Sequence, residues 1–209
     1  MFQDRKEAGQ QLAQKLKDYQ LQPNVIILGI PRGGVETAKQ IAQDLNCSLD
    51  IIVVKKIGAP SEQELAIGAV GETKGSNYLD ERLINELRVS QQYLDEQIKR
   101  LKKEIKRREV LYRQNRDPLD LKGKTVIIVD DGTATGATAI AAAREVWNNE
   151  PKRVVIALPV APKDTLHKLE KEADEVIVLE TPTDFFSVGQ FYENFPQISD
   201  KEVISLLST

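Results

Sequence analysis

Two adjacent carboxylates, Asp130 and Asp131, end the apolar run of the stretch VIIVDDGTATGAT (126–138) and are followed by a loop of small residues. Such a loop at the start of a helix suits an anion, because free backbone N–H groups and the helix dipole both favour negative charge. The two carboxylates at its mouth would repel a phosphate beside them. The stretch therefore predicts a ligand that carries both a phosphate and groups able to donate hydrogen bonds to carboxylates.

Other interpretations of this region fail on residue type or position. The DDGT segment is similar to the DxDGT motif of the haloacid-dehalogenase phosphatases, but Val129 stands where the nucleophilic aspartate is required. The triplet Gly123-Lys124-Thr125 ends like a phosphate-binding P-loop, yet it precedes a predicted strand instead of following one. No GxGxxG follows a strand, which excludes a dinucleotide fingerprint. A helix cap accounts for one of the two acids but not for both.

A second candidate segment, PRGG (31–34), follows the apolar run VIILGI (25–30). Gly33 and Gly34 allow close approach of the backbone to a ligand, because they carry no side chain. Arg32 supplies a planar, bidentate donor for phosphate oxygens. Taken alone, the segment is equally compatible with a plain turn.

A third candidate is the pair Lys55 and Lys56, which ends the apolar run LDIIVV (49–54). Paired ammonium groups at the end of a buried strand are costly unless they meet anions or water. The same strand-end position as in the first two segments favours a phosphate-binding role for at least one of them.

Apolar runs alternate with amphipathic segments along the 209-residue chain, a pattern typical of a mostly parallel sheet with right-handed crossovers. The predicted fold class is α/β, with helices on both faces of the sheet. Ligands bind outside the carboxyl ends of such strands, so the three candidate segments should share one edge. The predicted strands are 25–30, 49–54, 125–129, 153–159 and 175–179, and the predicted helices are 5–19, 35–45, 136–148 and 163–172.

Two segments interrupt this alternation. Glycine-rich residues 58–78 predict a hairpin or a flexible excursion. A long helical pattern covers residues 83–105, and residues 95–109 hold seven Lys or Arg against four Asp or Glu. This basic face is interpreted as solvated or as facing phosphate. Tyr112 and Arg113, at its end, are a further hypothesis for phosphate contacts.

The stretch 126–138 resembles the phosphoribosyl-pyrophosphate (PRPP) motif of the type I phosphoribosyltransferases: four hydrophobic residues, two acids, then small residues with a Thr-Gly pair and a final Thr. The resemblance covers residues 25 to 180 approximately and implies a single type I phosphoribosyltransferase-like domain over residues 1–209. The segments IPRGGVE, VVKKIGAP, AIGAV, RREVLYR and FFSVGQFYENFPQ are similar to a group of stand-alone bacterial and archaeal phosphoribosyltransferases, often of unassigned substrate.

In this family a nitrogen nucleophile displaces pyrophosphate from C1 of PRPP, so the resemblance implies a Mg²⁺-dependent phosphoribosyltransferase that acts on a nucleobase-like acceptor. By the resemblance, Asp130 and Asp131 accept hydrogen bonds from the ribose hydroxyls and reach Mg²⁺ directly or through water. Arg32 joins them as a catalytic residue, and its peptide bond to its neighbour is expected to be cis. The 5-phosphate is assigned to Thr133, Ala134, Thr135, Gly136, Ala137 and Thr138, and the pyrophosphate to Arg32, Gly33, Gly34, Lys55 and Lys56.

The acceptor is expected beneath a hood built from the aromatic tail, residues 181–209. Phe185, Phe186 and Tyr192 either stack on a flat heterocycle or form a small satellite core. Segment 58–78 is the candidate mobile cover, because a reactive oxocarbenium-like transition state must be shielded from water.

The composition of the chain limits the classes of partner that it is expected to bind. The net charge of −3 gives no general attraction to nucleic acid or membrane, and no apolar run approaches the ~20 residues that span a bilayer. The polar start without a signal peptide and the single Cys47 predict a cytoplasmic protein. The resemblance implies an enzyme of nucleotide metabolism. PRPP and a small heterocycle are its expected partners, and a homodimer is left open. The alternative function is a non-catalytic PRPP- or nucleotide-binding regulator, and a third is a ribose-phosphate hydrolase or phosphorylase.

Overall fold

The structure, a computed structural model, describes residues 1–114 and 116–208. The strands in this part of the chain are β1 (Val25–Gly29), β2 (Ser48–Ile51), β3 (Lys55–Gly58), β4 (Ala66–Val70), β5 (Tyr78–Leu79), β6 (Thr125–Val129), β7 (Arg153–Val160) and β8 (Glu175–Glu180). The helices are α1 (Arg5–Lys15), α2 (Gly33–Leu45), α3 (Glu81–Glu86), α4 (Gln91–Arg113), α5 (Ala137–Trp147), α6 (Lys163–Leu169) and α7 (Asp200–Ser208).

Five strands form one parallel sheet in the order β2-β1-β6-β7-β8. Because successive side chains of a strand point to opposite faces, Ile27 and Val129 pack with α1 and α2, whereas Leu28 and Ile128 pack with α5. Covering both faces explains why these strands are continuous apolar runs. The α/β class with helices on both faces is confirmed.

The second strand of the sheet is shorter than predicted: β2 covers Ser48–Ile51, whereas the prediction was 49–54. β2 ends at Ile51, and the chain leaves the sheet before β3 begins at Lys55. Ile52, Val53 and Val54 stay buried, and the Ile52 N–H still donates to the Gly29 carbonyl at 3.1 Å. The prediction was too long because residues 52–54 are apolar and buried like the strand, and a buried connection cannot be distinguished from a strand by its apolar residues alone.

The helical pattern 83–105 forms two helices where its spacing indicates a continuous one. α3 ends at Glu86, and Arg88 then adopts a left-handed backbone conformation with φ 51°. The Ser90 hydroxyl accepts a hydrogen bond from the Tyr93 N–H at 3.2 Å and so caps α4.

Segment 58–78 contains part of a second sheet. β3, β4 and β5 pair antiparallel in that order, and every residue of β4 is buried. A hairpin was one of the two predictions for this region, and the β4–β5 pairing confirms it. Because β4 is part of the buried core, the predicted mobile cover is restricted to the connections on either side of it, residues 59–65 and 71–77, where it stays a prediction.

The tail packs against the start of the chain. The Phe2 N–H donates to the Phe191 carbonyl at 2.7 Å, and the Glu193 N–H donates to the Phe2 carbonyl at 2.8 Å. Phe2 and Tyr192 are buried together, with ring centroids 5.5 Å apart. The two ends of the chain therefore form one unit beside the sheet.

Tyr112 and Arg113 anchor α4 and do not face the candidate phosphate site. Tyr112 is fully buried, and its hydroxyl donates to Asp200 Oδ1 at 2.7 Å. The Arg113 guanidinium contacts Asp50 Oδ1 at 3.1 Å and donates to the Ile51 carbonyl at 2.9 Å. The hypothesis that they contact phosphates is wrong, because both side chains hold the helix against β2 and α7.

Replacing Asp50 by alanine is expected to cost about 3 kcal/mol of unfolding free energy. The buried Arg113 guanidinium would keep only the longer ion pair with Glu109, at 3.5 Å, and the Leu119 N–H would lose its acceptor. Thermal unfolding followed by circular dichroism should show a Tm lower by about 6–12 °C. Glu86→Ala breaks the exposed ion pair with Arg82 and serves as the control, with a shift of about 2 °C or less. Equal shifts for the two variants would contradict the anchoring role.

Candidate functional site

The three candidate segments meet in one cleft at the carboxyl edge of the parallel sheet. The cleft has a volume of about 460 Å³. Apolar side chains from the ends of the sheet strands and from the tail complete its wall, among them Ile30, Val54, Val188 and Phe195. The predicted site residues that line it are Arg32, Gly33, Lys55, Lys56, Asp130, Asp131 and Thr138.

Strand register brings the PRGG segment beside the carboxylates. Gly29 of β1 lies opposite Val129 of β6, and the Ile30 N–H donates to the Val129 carbonyl at 2.8 Å. The chains leaving these two strands therefore run next to each other. The peptide bond between Pro31 and Arg32 is cis, as the resemblance implied.

Gly33 and Gly34 are required by the carboxylates themselves. A Cβ atom on Gly33 would lie 1.9 Å from Asp131 Oδ2, and one on Gly34 would lie 2.7 Å from the Asp130 Cα. Sequence reasoning attributed both glycines to the approach of a phosphate. The geometry adds a second reason, since the start of α2 packs directly onto the acidic pair.

Each carboxylate has a different environment. Asp131 Oδ2 accepts a hydrogen bond from Arg5 Nε at 2.7 Å, and the Asp131 carbonyl accepts one from the Tyr192 hydroxyl at 2.6 Å. Asp130 Oδ1 accepts from the Asp131 N–H at 2.9 Å. Burial, followed by the charge of Asp131, raises the pKa of Asp130 well above its usual range. Asp131 is thus held by an ion pair from α1, whereas Asp130 lacks an equivalent bond from a cation in the part of the chain that the structure describes.

Arg5 is a site residue that the sequence analysis missed. It is only 4% exposed and lines the cleft. Its guanidinium donates to the Pro196 carbonyl at 2.8 Å and lies 3.8 Å from the centroid of the Phe195 ring. Arg5 shares the buried face of α1 with Ala8 and Leu12. A charged residue in register with an apolar helical stripe was the signal that could have found it.

The loop assigned to the 5-phosphate is ordered by its own hydroxyl groups. Thr133 Oγ1 accepts from the Gly136 N–H at 3.0 Å, and Thr135 Oγ1 accepts from the Ala137 N–H at 3.4 Å. Two of the amides expected to bind phosphate therefore already have partners. Thr138 is buried at the cleft wall.

The outer part of this loop borders a second depression. Ala134 and Thr135 line a cavity of about 580 Å³, and the Ala134 carbonyl accepts a hydrogen bond from the Thr165 hydroxyl at 2.7 Å. The other side of that cavity is formed by Tyr78 and Lys168. The loop assigned to the 5-phosphate is thus exposed to two depressions, with Thr138 on the side of the carboxylates.

Both lysines predicted for pyrophosphate reach the cleft from the start of β3. Burial, followed by the charge of Arg108, lowers the pKa of Lys55. Arg32 is 40% exposed at its side chain, with Nη1 4.0 Å from Asp200 Oδ1. The cleft therefore gathers three cations beside the acidic pair, in addition to Arg5: Arg32 after the end of β1, and the two lysines at the start of β3.

The aromatic residues predicted for the acceptor lie elsewhere. Tyr192 is 5% exposed and stacks on Phe195 with ring centroids 4.8 Å apart, so its ring is closed to a heterocycle. Phe185 packs on Phe191 at 5.1 Å, and Phe186 is 90% exposed. The acceptor-stacking prediction is wrong for Tyr192, which belongs to the satellite core that was the alternative. Phe185 and Phe186 do not line the cleft.

The sequence profile of the phosphoribosyl transferase domain matches residues 2–195. The chain belongs to the phosphoribosyl transferase domain family. Among its relatives, a Mycobacterium tuberculosis (strain ATCC 25618 / H37Rv) protein named "Putative phosphoribosyl transferase Rv0571c" is 42% identical over 207 residues. That match covers 99% of this chain and 46% of the relative. This phosphoribosyl transferase domain thus spans about half the length of the curated relatives it matches.

Solved structures share this fold. TT1426 from Thermus thermophilus superimposes on this phosphoribosyl transferase domain with a TM-score of 0.79 and 39% identity, covering 99% of this chain and 97% of that one. A hypoxanthine-guanine phosphoribosyltransferase from Bacillus anthracis shares the fold, with a TM-score of 0.50, 14% identity and coverage of 91% and 89%. In the residues that the structure describes, no helix is long and apolar enough to cross a membrane.

Gly33→Ala is expected to cost about 1–3 kcal/mol of unfolding free energy, because the added methyl group collides with the Asp131 carboxylate. In an Asp131→Ala background the carboxylate is gone and only Arg5 Nε, 2.8 Å from the added Cβ, still collides with it, so the same substitution should cost less. Chemical denaturation of the wild-type protein and the three variants of this double-mutant cycle measures the difference. Gly123→Ala, at an open position, is the control and should be additive with Asp131→Ala. Strict additivity for Gly33 would contradict the proposed packing.

Proposed function

We propose that this domain transfers the 5-phosphoribosyl group of PRPP to a nitrogen atom of a nucleobase-like heterocycle and releases pyrophosphate. The observation that carries the proposal is the arrangement of charge in a single cleft. Two carboxylates, Asp130 and Asp131, line this cleft together with Thr138 of the helix-start loop and with three cations, Arg32 after β1 and the two lysines that begin β3. PRPP has the matching order of groups: a phosphate, two neighbouring hydroxyls and a pyrophosphate.

In this assignment each end of PRPP meets the chemistry it needs. The 5-phosphate binds the loop 132–138, where amides at a helix start favour an anion. The ribose hydroxyls donate to Asp130 and Asp131. The pyrophosphate binds Arg32, Lys55 and Lys56, whose charges stabilise it as it leaves.

The reaction asks the protein mainly for positioning and electrostatic stabilisation. The bond from C1 to the pyrophosphate oxygen breaks, and the leaving group takes the electron pair. The acceptor nitrogen forms the new bond to C1 and then loses its proton. Because the cleft holds the cations at the leaving-group end, the developing negative charge meets fixed donors.

A magnesium ion fits the donor set of this cleft. Asp130 and Asp131 offer carboxylate oxygens, the ligand type that Mg²⁺ prefers, and the substrate oxygens and water supply the rest. When bound, the ion neutralises charge on the pyrophosphate. The carboxylates then serve two partners, because they orient the ribose and hold the ion directly or through water.

Arg5 is proposed as a positioning residue for Asp131. Its Nε occupies Oδ2 at 2.7 Å, which leaves Oδ1 free for a ribose hydroxyl and fixes its direction. The buried ion pair also offsets repulsion between Asp131 and Asp130. The stacking of Arg5 on Phe195 and its bond to the Pro196 carbonyl hold the guanidinium in place.

Arg5→Gln is expected to raise the Kd for PRPP about tenfold, because Asp131 loses its charged donor and its fixed orientation. Arg5→Lys keeps the charge but not the planar fork and should recover part of the affinity. Isothermal titration calorimetry measures both values. Arg153→Gln, which removes an exposed ion pair with Glu175, is the matched control. A lower Tm with unchanged PRPP affinity in Arg5→Gln would contradict the positioning role.

The reaction itself is tested by pyrophosphate release from PRPP and Mg²⁺ with a panel of purines, pyrimidines and related heterocycles. Turnover that depends on one class of acceptor is the expected result, and omission of Mg²⁺ should abolish it. PRPP binding without turnover for any acceptor would favour the regulatory function over the enzyme. Failure to bind PRPP at all would contradict the assignment of the cleft.

A further inference from the structure

A groove of about 450 Å³ between β3 and α4 adjoins the cleft. The residue that joins them is Lys55, which lines both depressions. The groove thus continues the cleft on the side proposed for pyrophosphate. Its walls are formed by Lys55, Arg100, Leu101, Lys103, Glu104 and Arg107.

The single acid of the groove is already neutralised. Glu104 accepts hydrogen bonds from Arg107 at 2.8 and 2.9 Å and from Arg108 at 2.7 Å. The hydrogen bonds from Arg107, and then from Arg108, lower the pKa of Glu104 to about 2. Its carboxylate oxygens are therefore already hydrogen-bonded to two guanidinium groups.

Three of those cations have no acidic partner within the described residues. Arg100 donates to the neutral amide oxygen of Gln97, at 2.6 and 3.1 Å. Across residues 1–114 and 116–208, no ion pair is formed by Arg100, Lys103 or Lys55. A planar guanidinium and two ammonium groups around a recess are the chemistry that binds phosphate oxygens.

We propose that this groove is a phosphate subsite that extends the leaving-group side of the cleft. A condensed phosphate chain longer than pyrophosphate would lie with one end at Arg32 and Lys56 and the other between Arg100 and Lys103. Lys55 would contact the chain where the two depressions join. The proposal rests on the pyrophosphate assignment of the proposed function, and it makes such compounds competitors of PRPP. The chain is either free polyphosphate or the phosphate end of a nucleotide.

The test compares the binding of tripolyphosphate and pyrophosphate by calorimetry, at fixed ionic strength of about 0.15 M and without Mg²⁺. The wild-type protein should bind tripolyphosphate about fivefold more tightly, since two further charge contacts form at a partly exposed site. In Arg100→Gln/Lys103→Gln the ratio should fall below about twofold, with pyrophosphate binding retained. Lys99→Gln/Lys152→Gln removes the same charge from exposed positions outside the groove and should keep the wild-type ratio.

A ratio near one in the wild type, or an equal fall in both double variants, would overturn the subsite. Titration with ATP identifies the source of the phosphate chain. If Arg100→Gln/Lys103→Gln weakens the binding of ATP as well as that of tripolyphosphate, the subsite is assigned to nucleotides. If only the binding of tripolyphosphate is weakened, it is assigned to free polyphosphate. Arg32→Gln separates this proposal from the previous one. If Arg32→Gln leaves the affinity for pyrophosphate unchanged, the pyrophosphate assignment of the cleft fails. The ratio of tripolyphosphate to pyrophosphate affinity still decides whether the groove binds phosphate.

Discussion

Two carboxylates side by side at the end of a buried strand are the constraint around which the rest of this site is arranged. Asp130 and Asp131 repel each other, and burial makes their charge expensive. The protein offsets this with the Arg5 ion pair, with the backbone N–H of Asp131, and with the charge of Lys56 at the start of β3. Gly33 and Gly34 then let α2 start directly against the pair.

The same constraint explains why both ends of the chain fold back to the sheet edge. Arg5 comes from the first helix, and the hydroxyl that binds the Asp131 carbonyl comes from Tyr192 in the tail. Phe195 lies between these two side chains, under the guanidinium of one and stacked on the ring of the other. The tail aromatics therefore support the acidic pair, and Val188 and Phe195 are the tail residues that line the cleft.

The features of the fold and the site that could be predicted from the sequence are those that depend on local residue patterns. The apolar run of β6 predicted the strand, and the position of PRGG and of the lysine pair after apolar runs predicted that both would lie near the two acids. The position of Arg5 in an apolar helical stripe could have marked it as buried, but its partner, 126 residues away, could not be predicted from local pattern. The extra length given to the second strand and the unbroken helix 83–105 failed for a related reason: apolar spacing reports burial, whereas chain direction depends on single residues such as Arg88. The role of the tail aromatics could not be decided from the sequence, because stacking on a ligand and packing in a core use the same types of side chain.

The central claim is that Asp130 and Asp131 bind the ribose of PRPP, and calorimetric titration of PRPP into Asp130→Asn/Asp131→Asn tests it most directly. Loss of two charge-assisted hydrogen bonds should weaken binding about a hundredfold, provided that circular dichroism shows the variant to be folded. Affinity equal to that of the wild-type protein would contradict the account.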